Sequence, residues 1–197
     1  GQSVESPMGP GALREARRGF RLARELDLPL VTVIDTPGAA LSAAAENGGI
    51  AGEIARCLAD LTDLHPPTVS VLLGQGTGGG ALALVPADRV LAAQHAWLSP
   101  LPPEGASVIV HRDTTHAPDM AEAQHVRAAD LVANRIVHRL IAEHDDAADE
   151  PEAFCRRVGR AIQWELTELL RMDPQERLAQ RHRHFREIGT PADVRVS

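Results

Sequence analysis

The segment Gly74-Gln75-Gly76-Thr77-Gly78-Gly79-Gly80-Ala81 places five glycines within seven residues. It follows the apolar run Thr68 to Leu73 and leads into Ala81-Leu82-Ala83-Leu84. The pattern predicts a strand, a glycine turn and a short helix. Such a turn lets the backbone approach a ligand and aims free N–H groups at it from the positive end of a helix. Bare backbone donors suit a phosphate or a developing oxyanion. A tight turn that packs helix against strand would use the same residues. A P-loop needs Lys and Ser or Thr after the last glycine, where Ala81 and Leu82 stand. Gly74, Gly76 and Gly79 match a dinucleotide fingerprint, but no acidic residue closes a strand about twenty residues on.

A second glycine turn narrows the choice. Leu30-Val31-Thr32-Val33-Ile34 reads as a buried strand, and Asp35-Thr36-Pro37-Gly38-Ala39 ends it. Two parallel strands would bring both turns to one edge of a sheet, where α/β proteins bind ligands.

The rest of the chain alternates in the same way. Leu13, Ala16, Phe20, Ala23 and Leu26 mark an amphipathic helix over residues 11–27; its arginines, Arg14, Arg17, Arg18, Arg21 and Arg24, mostly crowd the other side and read as a solvated face or as an attraction for CoA phosphates or an acidic partner. Ile50, Ile54, Leu58 and Leu61 mark a second helix. Asp88 to Ala93 and Ala96 to Ser99 predict two further strands, and Pro103 opens a helix toward His111. Repeated strand–helix units imply a mainly parallel α/β sheet. Beyond residue 112 the pattern turns helical, with a stripe over 151–171 and a last helix from Pro174 to near Gly189. The acidic, alanine-rich stretch 144–151 reads as a mobile loop, and the tail from Thr190 as frayed.

Composition excludes several chemistries. All twenty basic residues are arginine, so no lysine is present to carry biotin, lipoyl or a Schiff base. A net charge of −7 argues against nonspecific nucleic-acid binding. No apolar run reaches a membrane span and the N-terminus has no signal region, so the expected setting is cytoplasmic. Cys57 and Cys155 read as core residues of a reducing compartment. The nine histidines lack zinc-ligand spacing: His182 and His184 fall on different sides of a helix, and His111 and His116 flank a polar loop. They read as surface residues, and His65 as a loop residue. No metal is expected. No nucleophilic serine sits on the glycine turn, where Thr77 has the only hydroxyl.

Residues 11–112 resemble the carboxyltransferase component of biotin-dependent acyl-CoA carboxylases, above all the alpha-type half of bacterial acetyl-CoA carboxylase. Ile34 to Ala39 match its I-D-T-P-G-A and Ile54-Ala55-Arg56 its I-A-R. Gly74 to Leu82 match G-E-G-G-S-G-G-A-L, Ala87 to Val90 match G-D-R-V, and Pro102 to Gly105 match S-P-E-G. Departures fall at Ala40-Leu41-Ser42 (for A-Y-P), Gln75, Gly78 and Pro102.

The resemblance implies a crotonase-like (ClpP/crotonase) spiral of β-β-α units: one domain over 1–197, with a core at 11–112 and a helical C-terminal part at 113–189. It implies carboxyl transfer from carboxybiotin to acetyl-CoA or another short acyl-CoA, with backbone oxyanion holes. The amides of Gly79 and Gly80 would serve biotin, with Ala81 adjacent; Gly78, Gly38 and Ala39 would line the same site. The absent side chain at Gly80 is expected to leave room for the biotin ring. The acyl-CoA would be held largely by a beta-type partner half, and biotin would arrive on a separate carrier protein. The chain is expected to form homo- or hetero-oligomers. Residue 1 is not methionine, so a longer polypeptide carrying the beta half is also expected. The same residues would serve a biotin-dependent or malonate decarboxylase. A degenerate structural subunit is the alternative from another class.

With no lysine, the purified chain should show no covalent biotin by mass spectrometry, and elemental analysis should find no stoichiometric zinc.

Overall fold

The computed structural model describes residues 7–144 and 146–189. Helix α1 (Pro10–Leu26) starts with proline at its first turn and ends where Asp27 takes a left-handed conformation. Leu13, Phe20 and Ala23 bury one of its faces. Strand β1 (Leu30–Thr36) follows, then a short α2 (Ala43–Asn47) and α3 (Ile50–Thr62). The core side of α3 is Ile50, Glu53, Cys57 and Leu61. The sequence stripe assigned Leu58 rather than Glu53 to that side. Glu53 is tolerated there because Arg14, Arg17 and Arg56 surround it. Hydrogen bonding from Arg56, then from Arg14, holds its carboxyl down at about 2. Arg17 also binds Asp60 at 2.6 Å. Part of the arginine face of α1 is therefore a clamp on α3 rather than a solvated surface, while Arg18 and Arg21 remain exposed.

Strand β2 (Thr68–Thr77) is the central element. It pairs in parallel with β1 on one side. On the other side it pairs first with β3 (Arg89–Ala93) and then, near its C-terminal end, with β4 (Trp97–Ser99). Helix α4 (Gly78–Leu82) begins as β2 ends. The expected strand therefore runs four residues further than its apolar part, through Gly74-Gln75-Gly76-Thr77. Pairing with both β1 and β4 holds those residues extended. The chain continues through α5 (Pro103–His111), α6 (Ala117–Ala123) and α7 (Ala128–Ala133) to β5 (Arg139–Ile141), which pairs in parallel with β3. The sequence predicted only helix beyond 112; β5 is three residues long, too short for a periodic signal. The sheet order is β1-β2-β3-β5, with β4 beside β2.

Two helices close the structure: α8 (Pro151–Arg171) and α9 (Pro174–Glu187). Both begin with proline, and the side chain of Asp173 caps α9 by accepting from the N–H groups of Gln175 and Glu176. The stretch before α8, read as mobile, is tied down at its described residues. Glu150 accepts from His144 N and pairs with Arg157, and Glu143 accepts from Ala147 N. The tail from Thr190 lies outside the described residues. Cys57 is buried, and burial pushes its thiol up to about 11. Cys155 is exposed on α8 and is not the core residue expected. No helix among the described residues is long and apolar enough to cross a membrane.

A buried ionic cluster fastens the two last helices to the sheet. Asp88, just before β3, accepts from Arg181 Nε at 2.9 Å and Nη2 at 2.7 Å, and from Thr68 N and Oγ1. Arg181 is 2% exposed, and its Nη1 caps the C-terminus of α3 at the carbonyls of Leu61, Thr62 and Leu64. One turn earlier, Arg177 donates to Leu169 O at the end of α8 and to His65 O. The adjacent Arg89 pairs with Glu165 of α8, which also binds Arg139 of β5 at 2.7 Å. The carbonyl ends of α3 and α8 supply the negative partial charge that balances the second guanidinium.

Asp88→Ala should lower unfolding free energy by about 3–5 kcal/mol in urea denaturation, because it leaves buried guanidinium groups without their carboxylate.

Candidate active site

Both predicted glycine turns lie at the C-terminal edge of the sheet, on the adjacent strands β1 and β2. The register between these strands slips near their ends: Ile34 faces Leu72, but Thr36 faces Gly76. The side chain of Asp35 fills the irregularity. Its Oδ1 accepts from Gln75 N at 3.0 Å and lies 2.9 Å from where a Cβ on Gly74 would stand. The aspartate of the first turn and the leading glycine of the second segment are thus one fitted contact.

The first turn is fixed from three sides. Gly38 has φ +117°, a conformation that side chains rarely adopt. Thr36 Oγ1 accepts from Gly38 N at 3.2 Å. Met8 N donates to Gly38 O at 2.9 Å, and Ala40 N donates to Met8 O at 3.0 Å. The turn's remaining face meets the second turn directly. A Cβ on Gly38 would stand 3.1 Å from Thr77 O, and one on Gly80 would stand 2.9 Å from Ala39 N and 3.0 Å from Gly38 C.

That contact corrects the reason expected for Gly80. Its missing side chain lets the two turns touch; the vacated direction is filled by Gly38 and Ala39. The more open flank is at Gly78, with φ +58°, where only Pro100 O comes within 4 Å of a built Cβ, at 3.7 Å. A Cβ on Gly79 would stand 2.9 Å from Cδ1 of Ile54 on α3.

Helix α4 opens with Gly78, Gly79 and Gly80, and its N-cap Thr77 makes no side-chain capping bond. The first N–H groups of an α-helix have no intrahelical acceptor. The junction of Gly38, Ala39, Ile54, Thr77, Gly79 and Gly80 contains no titratable side chain. Thr77 is 2% exposed and its Oγ1 has no partner among the described residues. The hydroxyl at the only nucleophilic position is therefore closed off from solvent, and no described base engages it. What the junction offers chemically is oriented backbone dipoles.

The structure brings Gly38, Ala39, Gly78, Gly79 and Gly80 together, with Ala81 buried directly behind. Sequence reading missed Thr36, Asp35 and Met8, which set the geometry through hydrogen bonds without special composition. It also missed a mainly apolar cavity of about 570 Å³ that includes Trp97, Pro103, Val126, Glu104 and Arg127 in its lining.

The histidines separate into two groups. His111 and His116 stack with centroids 4.1 Å apart beside an exposed loop, and His182 reaches Asp63. His184, by contrast, is half-buried and packs 4.5 Å from the ring of His138, so it is not the surface residue expected. No group of three or more metal-ligating side chains is assembled among the described residues.

Residues 6–189 match the family described as acetyl co-enzyme A carboxylase carboxyltransferase-like. The chain belongs to this family. It is 60% identical over 188 residues to the probable biotin-dependent acyl-coenzyme A carboxylase beta3 subunit of Mycobacterium tuberculosis, covering 95% of this chain and 38% of that protein. It is 36% identical to the acetyl-coenzyme A carboxylase carboxyl transferase subunit alpha of Thermus thermophilus, covering 93% of this chain and 59% of the relative. Among solved structures, a Pseudomonas malonate decarboxylase hetero-dimer superposes with TM-score 0.74 at 17% identity, over 92% of this chain and 77% of that one. The transcarboxylase 12S core superposes with TM-score 0.66 at 24% identity, over 82% and 32%. The expected fold class holds: the chain is a crotonase-like α/β carboxyltransferase fold with a parallel sheet and added helices.

Gly80→Val should destabilise the fold by about 1–3 kcal/mol in denaturant titration, because backbone stands where the side chain must go. Gly79→Ala should cost less, since the end of the Ile54 side chain can rotate away.

Proposed function

We propose that this chain supplies the biotin-side half of a carboxyltransferase site in an acyl-CoA carboxylase. The observation that carries the reading is the junction of two glycine turns at one sheet edge, with the uncapped start of α4 beside an open flank at Gly78. The group fits on this chain's own terms: a planar ureido ring with one oxygen acceptor needs close backbone and N–H donors, and both are present.

Carboxybiotin, delivered on a separate carrier protein, would supply the carboxyl group and leave negative charge on its ureido oxygen. The N–H groups of Gly79 and Gly80 would donate to that oxygen. Gly38 and Ala39 hold the second turn in place, and Gly78 gives access. Such preorganised donors are worth about 3–4 kcal/mol each, because they need no reorganisation as charge develops. No side-chain base is required of this half, because the proton lost from the acyl-CoA alpha carbon would go to the ureido nitrogen that gives up the carboxyl group, in keeping with a junction that has no base.

The acyl-CoA would be held by a beta-type half across the site, so that catalysis needs both. A relative from Parafrankia named as carboxyl transferase subunits beta/alpha, 41% identical over 184 residues, supports that pairing. The substrate class rests on the carboxylase relatives. Likeness to malonate decarboxylase stops at the fold, whereas 60% of aligned residues are shared with an acyl-CoA carboxylase subunit.

The assembled pair, given free N-carboxybiotin and a panel of acyl-CoAs, should transfer carboxyl groups, while this chain alone should not. Replacing the Gly80 amide N–H by an ester oxygen, with glycolic acid inserted at that position, should slow transfer by about a hundredfold or more and leave the turns in contact. Thr77→Val should do much less. A folded ester variant with undiminished activity would remove the amide from the mechanism.

A further inference from the structure

A polar cavity of about 150 Å³ lies at the opposite edge of the sheet from the glycine turns. Its walls come from the residues that lead into β3 and β5 and from one face of α9. Three guanidinium groups face it, from Arg89, Arg177 and Arg181, beside the carboxylate of Asp88; Glu165 pairs with Arg89 but also with Arg139, so four guanidinium groups meet two carboxylates.

Asp88 cannot neutralise that excess. Its Oδ2 already accepts from Arg181 Nη2, Thr68 N and Thr68 Oγ1, and its Oδ1 from Arg181 Nε, so the oxygen nearer Arg177 has no lone pair to spare. Arg177 Nε therefore stands 3.7 Å from Asp88 Oδ2 and makes no hydrogen bond, although its side chain is only 5% exposed. The Nε2 atom of His184 is also buried without a partner among the described residues.

His138 adds a third polar atom. Its Nδ1 accepts from Val90 N at 3.0 Å, so the neutral ring carries its proton on Nε2. Part of this residue is exposed, which makes it the mouth of the cavity.

We infer that this cavity binds a small tetrahedral oxyanion of the phosphate or sulfate type. Such an ion offers acceptor oxygens to Arg177 Nε and His184 Nε2, which have no hydrogen-bond partner among the described residues, and it balances the surplus positive charge. A cavity this size exceeds the roughly 30 Å³ share of one water but does not admit a nucleoside. The two imidazoles report the local potential. Burial first, then His184 and Arg89, hold His138 down at about 4; burial and then Arg89 lower His184, against an opposing pull from Glu187. A bound anion would reverse the cationic part of both effects. Because the site joins the sheet to α9, occupancy would tighten the C-terminal helices without touching the glycine turns.

The test uses the whole chain at pH 7 and constant ionic strength, with sodium chloride exchanged stepwise for sulfate or phosphate. The expected result is a saturating rise in Tm of about 2–4 °C and a selective shift of the His138 and His184 ring signals in NMR. The pKa of His138 should rise in the same titration. Gln180→Glu, which puts a carboxylate in the wall, should abolish both responses and leave the circular dichroism spectrum unchanged. His184→Phe removes a ring donor and should weaken them. A rise that never saturates, or is equal in Gln180→Glu, would be a general salt effect and would overturn the inference. Unmoved histidine signals in the unaltered chain would do the same, and would leave the cavity to water.

Discussion

The hold of Arg181 on Asp88 is the contact on which the rest of the molecule depends. It joins four elements through two side chains: the turn before β3, the start of β2 through Thr68, the end of α3 and the middle of α9. A planar guanidinium can do this because its donors point in fixed, divergent directions; a lysine ammonium could not span the same acceptors. The penalty for burying these charges is offset only because nearly every donor and acceptor is matched. The exception is Arg177 Nε, one turn away on the same helix.

From that anchor the sheet is held at one edge and functional geometry emerges at the other. The strands begin beside the ionic cluster and end at the glycine turns. None of the residues that form the junction itself carries a charge. Its shape comes from steric fit between backbone segments, and its electrostatics from peptide dipoles. The protein thus separates side-chain chemistry, which builds the frame, from main-chain chemistry, which the proposed reaction uses.

This division explains what the sequence made legible. Glycine, proline and apolar periodicity are local signals, and they located both turns, the extent of α5 and the extent of α8. They placed both turns at one edge of a parallel sheet, and the family motifs gave their order. Long-range contacts left no such trace. Arg181 is one of twenty arginines, and nothing local links it to an aspartate 93 residues earlier. Glu53 interrupted an apolar stripe whose cationic partners lie mostly on another helix. His184 looked like a surface residue because the ring it packs against belongs to a distant segment. The three-residue β5 owes its conformation to β3 rather than to its own composition.

The direct contact between the two turns also bears on evolutionary latitude. Where one loop abuts another through main chain, the side chains pointing elsewhere are under little constraint. Leu41, at a departure from the family pattern, is 94% exposed, and Gln75 meets Asp35 through its backbone N–H alone. Substitution at such places changes the outer coat of the junction and spares its framework. A change there alters the surface that faces the junction while the inner scaffold stays in register.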